Sequence, residues 1–115
     1  MKIYDVHTHL RSLDVDPEKI INRLDAANVS AANLFSVSPQ HSGYQERIDS
    51  LLKITQSHPD RLFPILFIHP DEDGILSKID EAVSRGVMGF KMICNNYYVY
   101  EDKSMKVLEH IAKAG

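Results

Sequence analysis

Four short apolar runs, at about Ile3–Val6, Asn33–Val37, Leu62–Ile68 and Gly89–Ile93, recur along the chain. Each is followed by a polar stretch and then a segment with helical periodicity. The step from run to run is roughly 26–30 residues, the length of one strand, one helix and their loops. A chain punctuated in this way is expected to fold as repeated βα units on a parallel sheet. The runs are also too apolar for a sheet with one wet face. Val6, Leu34, Leu66, Ile68, Phe90 and Met92 are available for one side, and His7, His9, Phe35, Phe67 and Lys91 for the other, so both faces are expected to be covered.

The helices announce themselves by their ends. Asp16 is placed to cap the first, with Pro17 at its first position and Glu18 in the first turn, where the helix dipole favours an anion. Its buried stripe reads Ile20, Ile21, Leu24, Ala27. The second runs from about Tyr44 to Ser57 on Ile48, Leu51, Leu52 and Thr55, and stops at His58-Pro59 because proline disfavours helical geometry in the residue before it. The third, about Asp73–Arg85, turns Leu76, Ile79, Ala82 and Val83 inward and stops at Gly86, a left-handed cap. The fourth, about Asp102–Lys113, uses Val107, Leu108, Ile111 and Ala112. Gly115 stands after the fourth helix where Gly86 stands after the third, so a fifth strand is expected to follow. The expected fold is α/β, the first four βα units of a (β/α)8 barrel of about 250 residues, truncated, with residues 1–115 as its N-terminal half and no second domain. The alternative is a complete four-stranded α/β domain.

With 115 residues, 43% of them hydrophobic, the chain can bury a core. Its net charge of −3 is spread among interspersed acids and bases, which argues against nucleic acid as a partner. No apolar stretch approaches the roughly 20 residues of a membrane span, and the N-terminus lacks a signal-peptide pattern. A cytoplasmic protein is expected. Cys94, alone, can form no internal disulfide and is read as a small buried apolar side chain.

The chemistry concentrates at Asp5-Val6-His7-Thr8-His9. Two imidazoles at period-two spacing share a strand face and can present neutral nitrogens to one divalent ion. In parallel α/β barrels the active site lies at the C-terminal ends of the strands, where these two fall. A metal there lowers the pKa of bound water and polarises a carbonyl. Lys91, between Phe90 and Met92, puts an ammonium on an inward face and needs a partner or a neutral form. Asp5 is placed on the histidine face, to orient a ring or to cap the barrel floor. His69 ends the third strand toward the expected mouth and is read as a hydrogen-bonded loop histidine in preference to a substrate contact, and His41, His58 and His110 as surface residues. Asn95, Asn96, Tyr97, Tyr98 and Tyr100 either line a pocket or pack on the rim. Neither a phosphate-cradling glycine loop nor a Gly-x-Ser-x-Gly elbow is present.

Three stretches carry a family resemblance: Asp5-Val6-His7-Thr8-His9, His58-Pro59-Asp60-Arg61-Leu62-Phe63, and Gly86-Val87-Met88-Gly89-Phe90-Lys91-Met92. In these the chain resembles the N-terminal half of an amidohydrolase-superfamily barrel, in the branch of TIM-barrel metal-dependent hydrolases that also contains decarboxylases. The resemblance implies a divalent metal with His7 and His9 as its first two ligands and the remaining catalytic groups beyond Gly115; zinc is the ion that the two imidazoles suit. Lys91 falls where some superfamily members carry a carboxylated lysine. A substrate-binding or structural lysine is the preferred reading over a carbamate ligand. Barrel DNases resemble one another in a fourth-strand glutamate that Lys91 replaces here, and the Asp-His pair of PHP-type phosphoesterases is missing.

The expected function is therefore metal-dependent hydrolysis of an amide, ester or lactone-type bond in a small molecule, with the 115-residue segment alone inactive. Two alternatives stand beside it. One is nonoxidative decarboxylation of a small carboxylic acid at the same metal. The other is a non-catalytic half-barrel acting through chain association, as a homo-oligomer or with a missing C-terminal half.

Overall fold

The computed structural model describes residues 1–115 as strands and helices in strict alternation. These are β1 (Tyr4–His9), α1 (Pro17–Ala26), β2 (Ala31–Phe35), α2 (Tyr44–Thr55), β3 (Leu62–Phe67), α3 (Ile75–Ser84), β4 (Gly89–Lys91) and α4 (Asp102–Ala114). All strand neighbours pair in parallel, in the order β1-β2-β3-β4. No helix is long and apolar enough to cross a membrane.

The helix ends follow local chemistry. Asp16 Oδ1 accepts the Glu18 N–H at 3.0 Å, fixing the start of α1. Both α1 and α3 end with a residue in the left-handed region, Asn28 (φ 55°) and Gly86 (φ 99°). The amide after each, Val29 or Val87, reaches back to Leu24 or Ala82 at 2.8 and 3.0 Å. Asn28 explains one departure from the sequence reading: α1 closes before Ala27, whose side chain is exposed rather than part of the buried stripe. In α3 and α4, Leu76, Val83 and Leu108 also stay partly exposed, because Ile75, Ile79, Ala82 and Val107 take the inward positions.

Pro64 lies inside the central strand β3, where a missing N–H ought to break a ladder. Its carbonyl accepts the Met88 N–H at 2.9 Å, so its nitrogen faces the β4 side just before that strand begins at Gly89. The absent donor therefore falls where no strand has yet formed.

The helices all pack on one sheet face. Ile21 and Leu24 of α1, Ile48 and Leu51 of α2, Ile79 of α3 and Val107 of α4 bury Leu34, Leu62, Leu66 and Ile68 in one core. The other face is not covered. Phe35, Phe63, Ile65 and Phe67 are only half-buried, against the expectation of two covered faces. Val6 is also displaced from its expected place in the core and is exposed. The cause is a bulge in β1: Asp5 pairs with Ala32 and Thr8 with Leu34, so Val6 and His7 together oppose Asn33.

Candidate functional site

The bulge sets the faces of β1. Asp5 and Thr8, three apart, come to one side, where Thr8 Oγ1 donates to Asp5 Oδ2 at 2.8 Å and the His7 N–H donates to Asp5 Oδ1 at 2.8 Å. Asp5 is thus spent on the His7 amide and the Thr8 hydroxyl of its own strand and does not share the face of the histidines, as period two had implied. Those two hydrogen bonds hold its carboxyl below the usual carboxylate range. His7 and His9 remain together on the open face, with their Nε2 atoms 2.8 Å apart.

Lys91, the last residue of β4, reaches across the sheet to both. Its Nζ lies 2.8 Å from His7 Nε2 and 2.8 Å from His9 Nε2. Phe35 and Phe67 floor the cluster. The lysine nitrogen sits 4.8 Å and 5.6 Å from their ring centroids, and the Phe35 ring lies 5.0 Å from His7 and 5.2 Å from His9. No carboxylate pairs with Lys91, whose partners are the two imidazole Nε2 atoms and aromatic faces. Burial alone pushes its ammonium down from the ordinary lysine value. Burial first, then the Lys91 and His7 charges, hold His9 below the ordinary imidazole value of 6.5.

His7 Nε2, His9 Nε2 and Lys91 Nζ meet at one point, and an imidazole Nε2 in the tautomer that carries its proton on Nδ1 offers a lone pair of the kind that ligates a divalent ion. In that tautomer the chemistry of the histidine pair suits two positions of a divalent ion's ligand set. The chain supplies no further donor of the usual kinds, since no group of three His, Cys, Asp or Glu side chains converges. Catalytic zinc normally takes three protein ligands.

Around the cluster, His69 follows β3 and bonds to Asn96 Oδ1 through Nε2 at 3.1 Å, while its Nδ1 accepts the Asp71 N–H at 3.2 Å. Tyr97 is buried edge-on against His69, with ring centroids 4.8 Å apart. Tyr98 and Tyr100 stack on each other in solvent. Asn95 and Asn96, with Ser38 and His69, line a cleft of about 180 Å³. The tyrosines thus divide between rim packing and exposure, and the asparagines face the cleft. His41, His58 and His110 lie at the surface with partners in Ser38, Glu18 and Asp80. Cys94 is exposed, correcting the buried assignment, because β4 ends at Lys91 and the chain has already left the sheet.

Sequence reasoning missed Arg47. It is buried in α2, and its Nη2 holds both oxygens of Glu72 at 2.7 and 2.9 Å. Glu72 Oε1 in turn accepts the His69 N–H at 2.9 Å, so this pair moors the loop after β3. An arginine on the apolar stripe of Ile48 and Leu51 was the available signal.

No family model matches the sequence, and no curated protein matches it. Among solved structures, the chain is similar to a probable 2-pyrone-4,6-dicarboxylic acid hydrolase from Acinetobacter baumannii, crystallised with citric acid bound. The likeness has a TM-score of 0.66 at 16% identity, and covers 99% of this chain and 47% of that one. At that identity it shows the fold. The chain spans about half the length of the structure it matches.

Proposed function

We propose that this chain is the metal-holding half of a (β/α)8 barrel hydrolase of the amidohydrolase type, acting on a small molecule. The observation that carries the reading is the convergence of His7 and His9 Nε2 on one cationic point at the C-terminal ends of the strands. The half-covered sheet, and a neighbour named as a probable hydrolase of a pyrone dicarboxylic acid, support the same reading. His7 and His9 would hold the ion, zinc by preference. When bound, it supplies a nucleophilic water at neutral pH and polarises the carbonyl of an amide, ester or lactone.

This chain's own residues contribute binding and positioning. The bulge, pinned by Asp5, sets the His7 backbone, and Phe35 supports both rings. Lys91 is read as a substrate-binding or structural lysine: an ammonium at the cation point must leave when a divalent ion arrives, and is then free to meet an anionic group. Carboxylation of its Nζ would make it a donor instead. The reading carries a cytoplasmic location, on the single unpaired Cys94.

The test is zinc titration by calorimetry. Wild type should bind one equivalent, and His7→Ala and His9→Ala should each weaken binding by about a hundredfold. Full zinc content in both variants would overturn the proposal. Esters, lactones and amides are then assayed with the whole barrel, and carbon dioxide release without hydrolysis would shift the reaction to decarboxylation. The half-exposed inner face also supports a second reading, a half-barrel that works by pairing with another chain.

A further inference from the structure

We propose that the cavity beside His9, between the loops that follow β1 and β2, is a carboxylate-binding subsite in which Arg11 is the charged contact. The assignment rests on the hydrolase reading above and names its substrate class: esters, lactones or amides that carry a carboxylate.

The cavity has a volume of about 280 Å³, enough for a carboxylate and a few carbons. Three of its lining side chains are ionisable, His9, Arg11 and His41, and all three are basic. That bias runs against a chain whose net charge is −3. Arg47, Arg61 and Arg85 each hold a carboxylate, at 2.7, 2.8 and 2.6 Å. Arg11, like Arg23, has no carboxylate within 4.0 Å, and of these two exposed guanidinium groups only Arg11 lines this cavity, where its donors are open to a ligand. His41 is tied through Nδ1 to Ser38 Oγ at 2.6 Å, and Ser38 lines the same space. In the tautomer that accepts from Ser38, His41 retains its Nε2–H as a second donor.

Position gives the cavity its meaning. His9 belongs both to its wall and to the nitrogen cluster, and Phe67, over which Lys91 lies, forms another wall. A ligand anchored at Arg11 therefore extends toward His7 and His9. The donor set favours a carboxylate over a phosphate. A guanidinium fork matches a planar carboxylate, and the apolar walls at Leu10 and Val37 suit a weakly charged ligand. The glycine-rich loop of a typical phosphate cradle is missing.

The experiment titrates the 115-residue chain, metal-free, with monomethyl succinate, dimethyl succinate and inorganic phosphate, following the Arg11 Nε–H and Ser38 amide resonances by NMR. Monomethyl succinate should produce saturable shifts at both, with dimethyl succinate and phosphate at least about tenfold weaker. Arg11→Gln should weaken monomethyl succinate about tenfold, and Arg11→Lys should restore part of the loss. Equal binding of the dimethyl ester, tighter binding of phosphate, or an affinity indifferent to Arg11→Gln would overturn the subsite. Amide dispersion in each variant reports folding, and zinc titration of the same samples separates the two claims. Zinc without carboxylate binding sinks the subsite alone, whereas carboxylate without zinc binding leaves an anion cavity and sinks the metal reading.

Discussion

Three nitrogens, each 2.8 Å from the other two, cannot all be joined by protons while Lys91 is an ammonium. If Nζ donates to both rings, the two Nε2 lone pairs face each other. If one Nε2 carries a proton, that proton faces the ammonium. The cluster is thus held by a charge that competes with any metal. Replacing it with an apolar chain, Lys91→Met, should strengthen zinc binding by about tenfold, ~1.4 kcal/mol, a value discounted for partial exposure. Weaker binding in calorimetry would instead mark Lys91 as a donor. The same substitution moves His9. In the fold its ring takes up a proton at lower pH than an unfolded imidazole, so between that point and 6.5 the unfolded chain binds more protons. Stability from neutral His9 is therefore present above pH 6.5 and lost as pH falls through the folded value. Without the Lys91 charge, the His9 midpoint in an NMR titration should rise, though not fully, since burial persists. At this scale the sequence showed the two imidazoles, whose spacing survives the bulge, and an inward lysine wanting a partner. That the partner lies 82 and 84 positions away depends on β1 and β4 curling toward each other, which no local pattern encodes.

Elements were legible where their ends carry strong chemistry. Asp16-Pro17-Glu18 marks the start of α1 and Gly86 the end of α3, because capping and left-handed backbone are local properties. Asn28 does the work of glycine at the end of α1, and the bulge in β1 depends on pairing with β2, so neither could be read from one segment. The Arg47–Glu72 pair belongs to this scale, since it ties α2 to the loop entering α3 and holds the His69 backbone through Glu72. Arg47 is 1% exposed. Glu72→Ala leaves that charge buried without its carboxylate and should lower stability by about 3 kcal/mol in urea denaturation. Tyr44 spans α2 and α3 by donating to the Lys78 carbonyl at 2.7 Å. Burial, and then the nearby Glu81 charge, push it up to about 12, and burial likewise pushes Tyr97 up to about 12. Unfolded phenols lose their protons near 10, so the unfolded chain binds fewer protons between 10 and 12 and stability falls as pH rises through that window. Tyr44→Phe and Tyr97→Phe should each remove one equivalent of the phenolate absorbance that develops near pH 12.

Over the whole molecule, the two sheet faces present a physical contrast. The helix-covered face fully buries Leu34 and Leu66, while the face with His7, His9 and Lys91 leaves Phe63 and Ile65 half in water. The sequence announced apolar residues for both faces but could not say whether four βα units supply both covers. They supply one, because every helix lies on the same side, and the matched structure is about twice as long as this chain. The contrast is measurable. Leu66→Ala empties a fully packed site and should lower stability by about 3 kcal/mol. Phe63→Ala removes a larger ring but one already wet, and should cost about 1 kcal/mol if the inner face stays open in solution. Urea denaturation at several protein concentrations discriminates the cases. A Phe63→Ala loss that matches Leu66→Ala and grows with concentration would show the inner face covered by another chain, because association then adds its own burial to the stability of the fold. A small, concentration-independent loss would place the nitrogen cluster on an open sheet, whose Lys91 and histidines meet solvent.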